Sequence, residues 1–79
     1  MHDMPSASGN RKISYYRCLK LWIPNDIRYR LQSRYGVDLV RSSNSGYVDP
    51  GMWVQTLRPI APHTALMLDI ELSEYILAV

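Results

Sequence analysis

The stretch Thr64-Ala65-Leu66-Met67-Leu68-Asp69-Ile70-Glu71-Leu72-Ser73-Glu74-Tyr75-Ile76-Leu77-Ala78-Val79 decides the fold. Its composition and its periodicity point in different directions. Ala, Leu, Met and Glu favour a helix in isolation. Yet Leu66, Leu68, Ile70 and Leu72 share one parity, while Met67, Asp69, Glu71 and Ser73 share the other, which is the alternation of an extended strand. On a helical wheel the polar residues Asp69, Glu71, Ser73 and Glu74 scatter around the axis. The alternation therefore predicts a strand, a break or bulge at Ser73-Glu74, and a short apolar strand through Val79.

Upstream, Ile13, Tyr15, Arg17, Leu19 and Leu21 alternate with Ser14, Tyr16, Cys18, Lys20 and Trp22, so Ile13 to Ile23 reads as a first strand ended by Pro24. Both faces carry rings or aliphatics, which predicts a central or covered strand, with Arg17 and Lys20 reaching past the sheet to water. Asn25 is a good N-cap, Asp26 complements the first turn, and Gly36 is a C-terminal stop, so Asn25 to Tyr35 reads as a helix. Ile27, Leu31 and Tyr35 form its apolar stripe. Arg30 and Arg34 stand four apart on one flank and repel, which calls for a compensating charge.

Val37 to Arg41 predicts a second short strand, Ser42 to Gly51 a turn-rich loop, and Met52 to Leu57 a third strand. Pro59 and Pro62 predict irregular chain from Arg58 to His63. The order is β-α-β-β-β, an α+β domain with one helix on a small, mostly antiparallel sheet. The polar segment 1–12 reads as a flexible tail and 13–79 as the single domain. At 79 residues the core is thin, and self-association through the apolar segment Tyr75 to Val79 is one way to supplement it.

Composition is that of a folding chain, with 47% apolar and 20% charged residues. Six tyrosines and two tryptophans occur without phenylalanine, so most large rings carry a polar handle. Net charge is +2, but its distribution is lopsided: eight cations from Arg11 to Arg41 face Asp26 and Asp38, whereas from Ser42 to Val79 Arg58 alone faces Asp49, Asp69, Glu71 and Glu74, and Asp3 stands near the start. The single Cys18 forms no internal bridge, and no apolar run reaches spanning length. A cytoplasmic protein without a membrane segment is the expectation.

Chemistry-bearing constellations are few. His2, Cys18 and His63 lie far apart without ligand spacing, so no metal or cofactor is expected; His63 reads as a loop residue and Cys18 as a small buried hydrophobe. No nucleophile stands beside a base in an elbow motif. Asp69 and Glu71 would share a face if extended, where they read as a solvated strand face. No enzyme is expected.

Arg41-Ser42-Ser43, with Gly46-Tyr47-Val48-Asp49-Pro50-Gly51, resembles two short motifs of the dUTPase and dCTP deaminase family. The resemblance would set Ser42 and Ser43 at phosphates and Asp49 at the acidic position of the turn. In that family, however, a long β segment separates the motifs, an aromatic usually stands where Met52 is here, and the jelly roll needs far more chain. The resemblance covers roughly an eighth of the sequence and does not assign a fold.

The strongest signal is cations interleaved with rings: Tyr15, Tyr16, Trp22, Tyr29 and Tyr35 among the eight basic residues. Arg, Tyr and Trp dominate protein hot spots. The expected function is a non-enzymatic protein-binding module with Arg17, Lys20, Arg28, Tyr29, Arg30 and Arg34 as partner-binding residues. Its size and composition are similar to those of small inhibitors made by phages and other mobile elements, anti-CRISPR proteins among them. The expected partner is then a larger host protein or ribonucleoprotein complex. The alternative is a nucleic-acid-binding regulator using the same residues, since cations meet phosphates and rings stack on bases. A homodimer is a further option.

Overall fold

A computed structural model describes residues 11–44 and 51–77. The elements are β1 (Tyr16–Leu19), α1 (Asn25–Tyr35), β2 (Leu39–Asn44), β3 (Gly51–Thr56) and α2 (Pro62–Glu71). The class is α+β, as expected, with a three-stranded antiparallel sheet ordered β1-β3-β2. The order of elements is β-α-β-β-α rather than β-α-β-β-β.

The C-terminal segment accounts for the difference. Pro62 occupies the first turn of α2, where its missing N–H costs nothing, so this proline starts regular structure instead of excluding it. Ala65, Leu68 and Leu72 are buried on one side, while Leu66 and Ile70 are 56% and 59% exposed. The alternation of Asp69 and Glu71 with apolar neighbours was the misleading feature. On a helix the two acids flank the buried stripe on its two sides, one toward β1 and one toward α1.

Beyond α2 the chain returns to the sheet. Leu19 and Ile76 form an isolated antiparallel bridge, with Lys20 N–H donating to Tyr75 O at 2.8 Å and Leu77 N–H to Cys18 O at 2.9 Å. The described part of the segment expected to pair with a second copy, Tyr75 to Leu77, is therefore paired with its own chain at Cys18 to Lys20. β1 is shorter than Ile13 to Ile23 and lies at an edge of the sheet, but its outer side is covered by this bridge. Ile13 bridges Ile60 separately, with two bonds of 2.7 and 2.8 Å.

α1 has the expected limits, with a different cap. Pro24 takes the N-cap position with φ −59° and no side-chain cap bond, and Asn25 is the first helical residue. Gly36 ends the helix at φ 63°, ψ 40°, a left-handed conformation that glycine adopts without Cβ strain, and its N–H donates to Gln32 O. Leu31 is buried, with Ile27 and Tyr35 packed against the core. β2 begins at Leu39, later than Val37, and runs on to Asn44 through residues expected in a loop. Residues 45–50, expected as loop, 1–10, expected as tail, and 78–79, expected in the last strand, lie outside the described residues.

Register sorts the sheet into two faces. Leu19, Met52 and Ser43 form one cross-strand row and Arg17, Val54 and Arg41 the next, with Leu39 opposite Thr56. This side meets both helices: Tyr15, Leu19, Leu39 and Val54 join Ile23, Leu31, Ile60, Ala65, Leu68 and Leu72 in one core. Tyr16, Cys18, Trp53, Gln55, Val40 and Ser42 face the other way. Cys18 is accordingly half-buried on that side, not enclosed.

Candidate functional site

Parity puts Arg17 on the helix side of β1, where it meets α2. Its Nε donates to Asp69 Oδ1 and its Nη2 to Asp69 Oδ2, both at 3.0 Å, a side-on pair. Tyr15 donates its hydroxyl to the same Oδ1 at 2.7 Å, and the Arg17 guanidinium stacks 4.5 Å from the Tyr15 ring centroid. Burial, reinforced by the bond to Asp69, raises the Tyr15 hydroxyl pKa far above the usual tyrosine value. Arg17 thus works within the fold and does not reach past the sheet as a free cation.

Arg34 is also engaged. Its Nη1 donates to Glu71 Oε2 at 2.6 Å, and the Tyr35 hydroxyl donates to the same oxygen at 2.8 Å. Those two bonds, Tyr35 first, hold the Glu71 carboxyl below the usual carboxylate range, and the charge of Arg30 adds to the effect. Glu71 is therefore the counter-charge that the Arg30 and Arg34 flank requires. Lys20 stands apart from both groups, exposed after β1 where the chain meets Tyr75.

The residues expected to form one patch are thus divided among four places, with Lys20 alone in one of them. Arg17 joins Asp69, Arg30 and Arg34 surround Glu71, and only Arg28 and Tyr29 remain together at the surface. Arg28 lies 4.7 Å from the Tyr29 ring centroid, with Nη1 donating to Leu39 O at 3.0 Å and Nη2 to Asn25 Oδ1 at 3.4 Å. Its Nε is buried with no acceptor.

The structure adds a second pair that the sequence reading left outside the site. Arg41 donates Nη1 to Ile23 O at 2.6 Å and lies 5.3 Å from the Trp22 ring centroid. Leu39, whose carbonyl holds Arg28, and Arg41 are two residues apart on β2, about 7 Å along a strand. Each of the two guanidinium groups is therefore tethered to a backbone carbonyl and set against a ring. Trp22 is 43% and Tyr29 56% exposed, and neighbouring Leu21 is exposed as well. Among the described residues neither arginine forms an ion pair. The signal for Arg41 lay in its inward parity on β2, which requires the register to read.

Other possibilities are poorly equipped. A cleft of about 280 Å³ between the end of α1 and the start of α2 is lined by Lys12, Tyr35, Asp38, Arg58 and Thr64 among others, but not by histidine or cysteine. Arg58 Nη2 already bonds Asp38 Oδ2 at 3.2 Å. His63 is exposed in the first turn of α2 instead of a loop. No group of three or more His, Cys, Asp or Glu that could hold a metal occurs among the described residues. Ser42 and Ser43 belong to β2, while Gly46 to Pro50 lie outside the described residues. Among the described residues no helix is long and apolar enough to cross a membrane. Compared with protein-family models, with curated proteins and with solved structures, the chain matches none.

Proposed function

We propose that this protein is a small non-enzymatic binding module that docks on an acidic protein surface through Trp22, Arg28, Tyr29 and Arg41. The observation that carries this reading is the state of the two arginines: each is set against an exposed ring, held by a backbone carbonyl, and without a carboxylate partner among the described residues. Prior fixation of a guanidinium lowers the ordering cost of binding, and Arg with Trp or Tyr is the common make-up of an energetic anchor. A module of this kind acts by occupying its partner's surface, the mode of an inhibitor of a larger host protein or ribonucleoprotein complex.

Direct nucleic-acid binding is the weaker reading. Arg17 and Arg34 already face carboxylates, which reduces the cationic surface left for phosphates. The two readings separate in one experiment: affinity capture with the wild type, an Arg28→Ala/Arg41→Ala variant and an Arg34→Ala control, beside titration of a labelled single-stranded oligonucleotide at low salt. The expected result is a partner retained by wild type and control and lost by the double variant, with no oligonucleotide binding. Equal recovery by all three chains overturns the reading, and oligonucleotide binding with a steep salt dependence reassigns the surface to nucleic acid.

A further inference from the structure

The side of the sheet away from both helices has composition unlike the rest of the surface. Tyr16, Cys18, Trp53, Gln55, Val40 and Ser42 occupy it by register, and none is charged. Tyr16 and Trp53, diagonal neighbours on β1 and β3, stack with ring centroids 4.5 Å apart and planes 4° from parallel. Leu57 continues the same parity beyond β3 and is 63% exposed, while Tyr16 is 44% exposed. No described helix or strand packs over this face, because every core residue belongs to the opposite side.

We propose that this face is the interface of a weak two-fold homodimer. Charge selects the occupant. The chain carries +2 overall, yet two copies meeting here bring no like charges together within the face. Its margin holds both signs, with Lys20 after β1 and, before β2, Asp38 paired with Arg58, all exposed. A nucleic acid needs cations beside the stacked rings, and an acidic or basic protein needs a counter-charge; the face supplies neither. An uncharged surface of rings, aliphatics and short polar groups is compatible with itself, as an isologous contact requires.

Size sets the strength. Three strands at about 4.8 Å spacing and six residues at about 3.4 Å give a footprint of about 14 by 20 Å. That is well short of the roughly 800 Å² per partner of a standard stable interface, so the dimer forms only at high concentration.

Sedimentation equilibrium of the full chain from about 5 μM to 1 mM tests this, with Tyr16→Lys and Ser42→Glu as variants at exposed positions and circular dichroism to verify their folding. The wild type is expected to rise from monomer toward twice the monomer mass, and each folded variant to remain monomeric. Alkylation of Cys18 by iodoacetamide, which requires no substitution in the face, is expected to slow at least about 1.5-fold across the same range. A wild type that stays monomeric at 1 mM overturns the proposal. So does a dimer that survives both substitutions, or one that leaves Cys18 reactivity unchanged.

Discussion

Arg17 on β1 and Asp69 on α2 meet side-on, two nitrogens to two oxygens at 3.0 Å each, and the Tyr15 hydroxyl shares one of those oxygens. This is a tie between the first strand and the last helix. Replacing Asp69 by Asn removes the charge that both donors address. Both partners of the ion pair are about one-third exposed, and solvent screening moderates the loss. The expected cost is about 1–2 kcal/mol, read as a lower urea midpoint at unchanged slope.

Tyr15 makes the fold sensitive to alkali. Its folded pKa is raised by burial and by Asp69, so the folded chain keeps a proton that the unfolded chain releases near about pH 10. Stability from this group is complete below that value and declines as pH rises beyond it. Tyr15→Phe is expected to flatten the decline in stability above pH 10, leaving only the part due to other groups. An unchanged slope between the two proteins contradicts the assignment.

Glu71 has the opposite sign. Its carboxyl is held below the usual range by Tyr35 and Arg34, so its contribution is present above the ordinary glutamate value of about 4.3 and is lost as pH falls through the folded value. Glu71→Gln is expected to give a shallower loss of stability below about pH 4.5 than the wild type, measured by thermal melts at stepped pH.

Four leucine and isoleucine positions distinguish helix from strand in the C-terminal segment. Leu68 and Leu72 are fully buried whereas Leu66 and Ile70 are more than half exposed. Leu68→Ala and Leu72→Ala are each expected to cost about 2–5 kcal/mol. Leu66→Gln and Ile70→Gln should change stability by about 0.5 kcal/mol or less. A strand with all four residues on one face would make the four substitutions similarly costly.

Gly36 tests the helix stop. A Cβ there meets no atom within 4 Å, so the cost of Gly36→Ala arises from the backbone at φ 63° alone. About 1–2 kcal/mol is expected, with little change on Gly36→Asn relative to that loss, in chemical denaturation.

What the sequence disclosed follows from how local each signal is. α1 was legible because its stripe of Ile27, Leu31 and Tyr35 and its stop at Gly36 all lie within twelve residues. α2 was not, since five of its ten residues are apolar and satisfy a period of two almost as well as one of 3.6; tertiary burial of Ala65, Leu68 and Leu72 decides between them. The candidate site was half legible. Arg28 and Tyr29 are chain neighbours, but Trp22 meets Arg41 only once β2 is laid beside β3, and the partners of Arg17 and Arg34 come from α2. A basic first half and an acidic second half were visible as numbers, while their mutual neutralisation depended on the fold.

The Leu19–Ile76 bridge sets a time order for folding. β1 is made before its inner neighbour β3 and before its outer cover Tyr75–Leu77, so a growing chain holds the first strand with its outer side open until residues 75–77 have emerged. Loss of Tyr75–Leu77 would strip the cover from an otherwise assembled sheet and leave β1 free to recruit a strand from another molecule. Cleavage between α2 and Tyr75 should therefore convert a well-behaved chain into an aggregating one before it abolishes the helices.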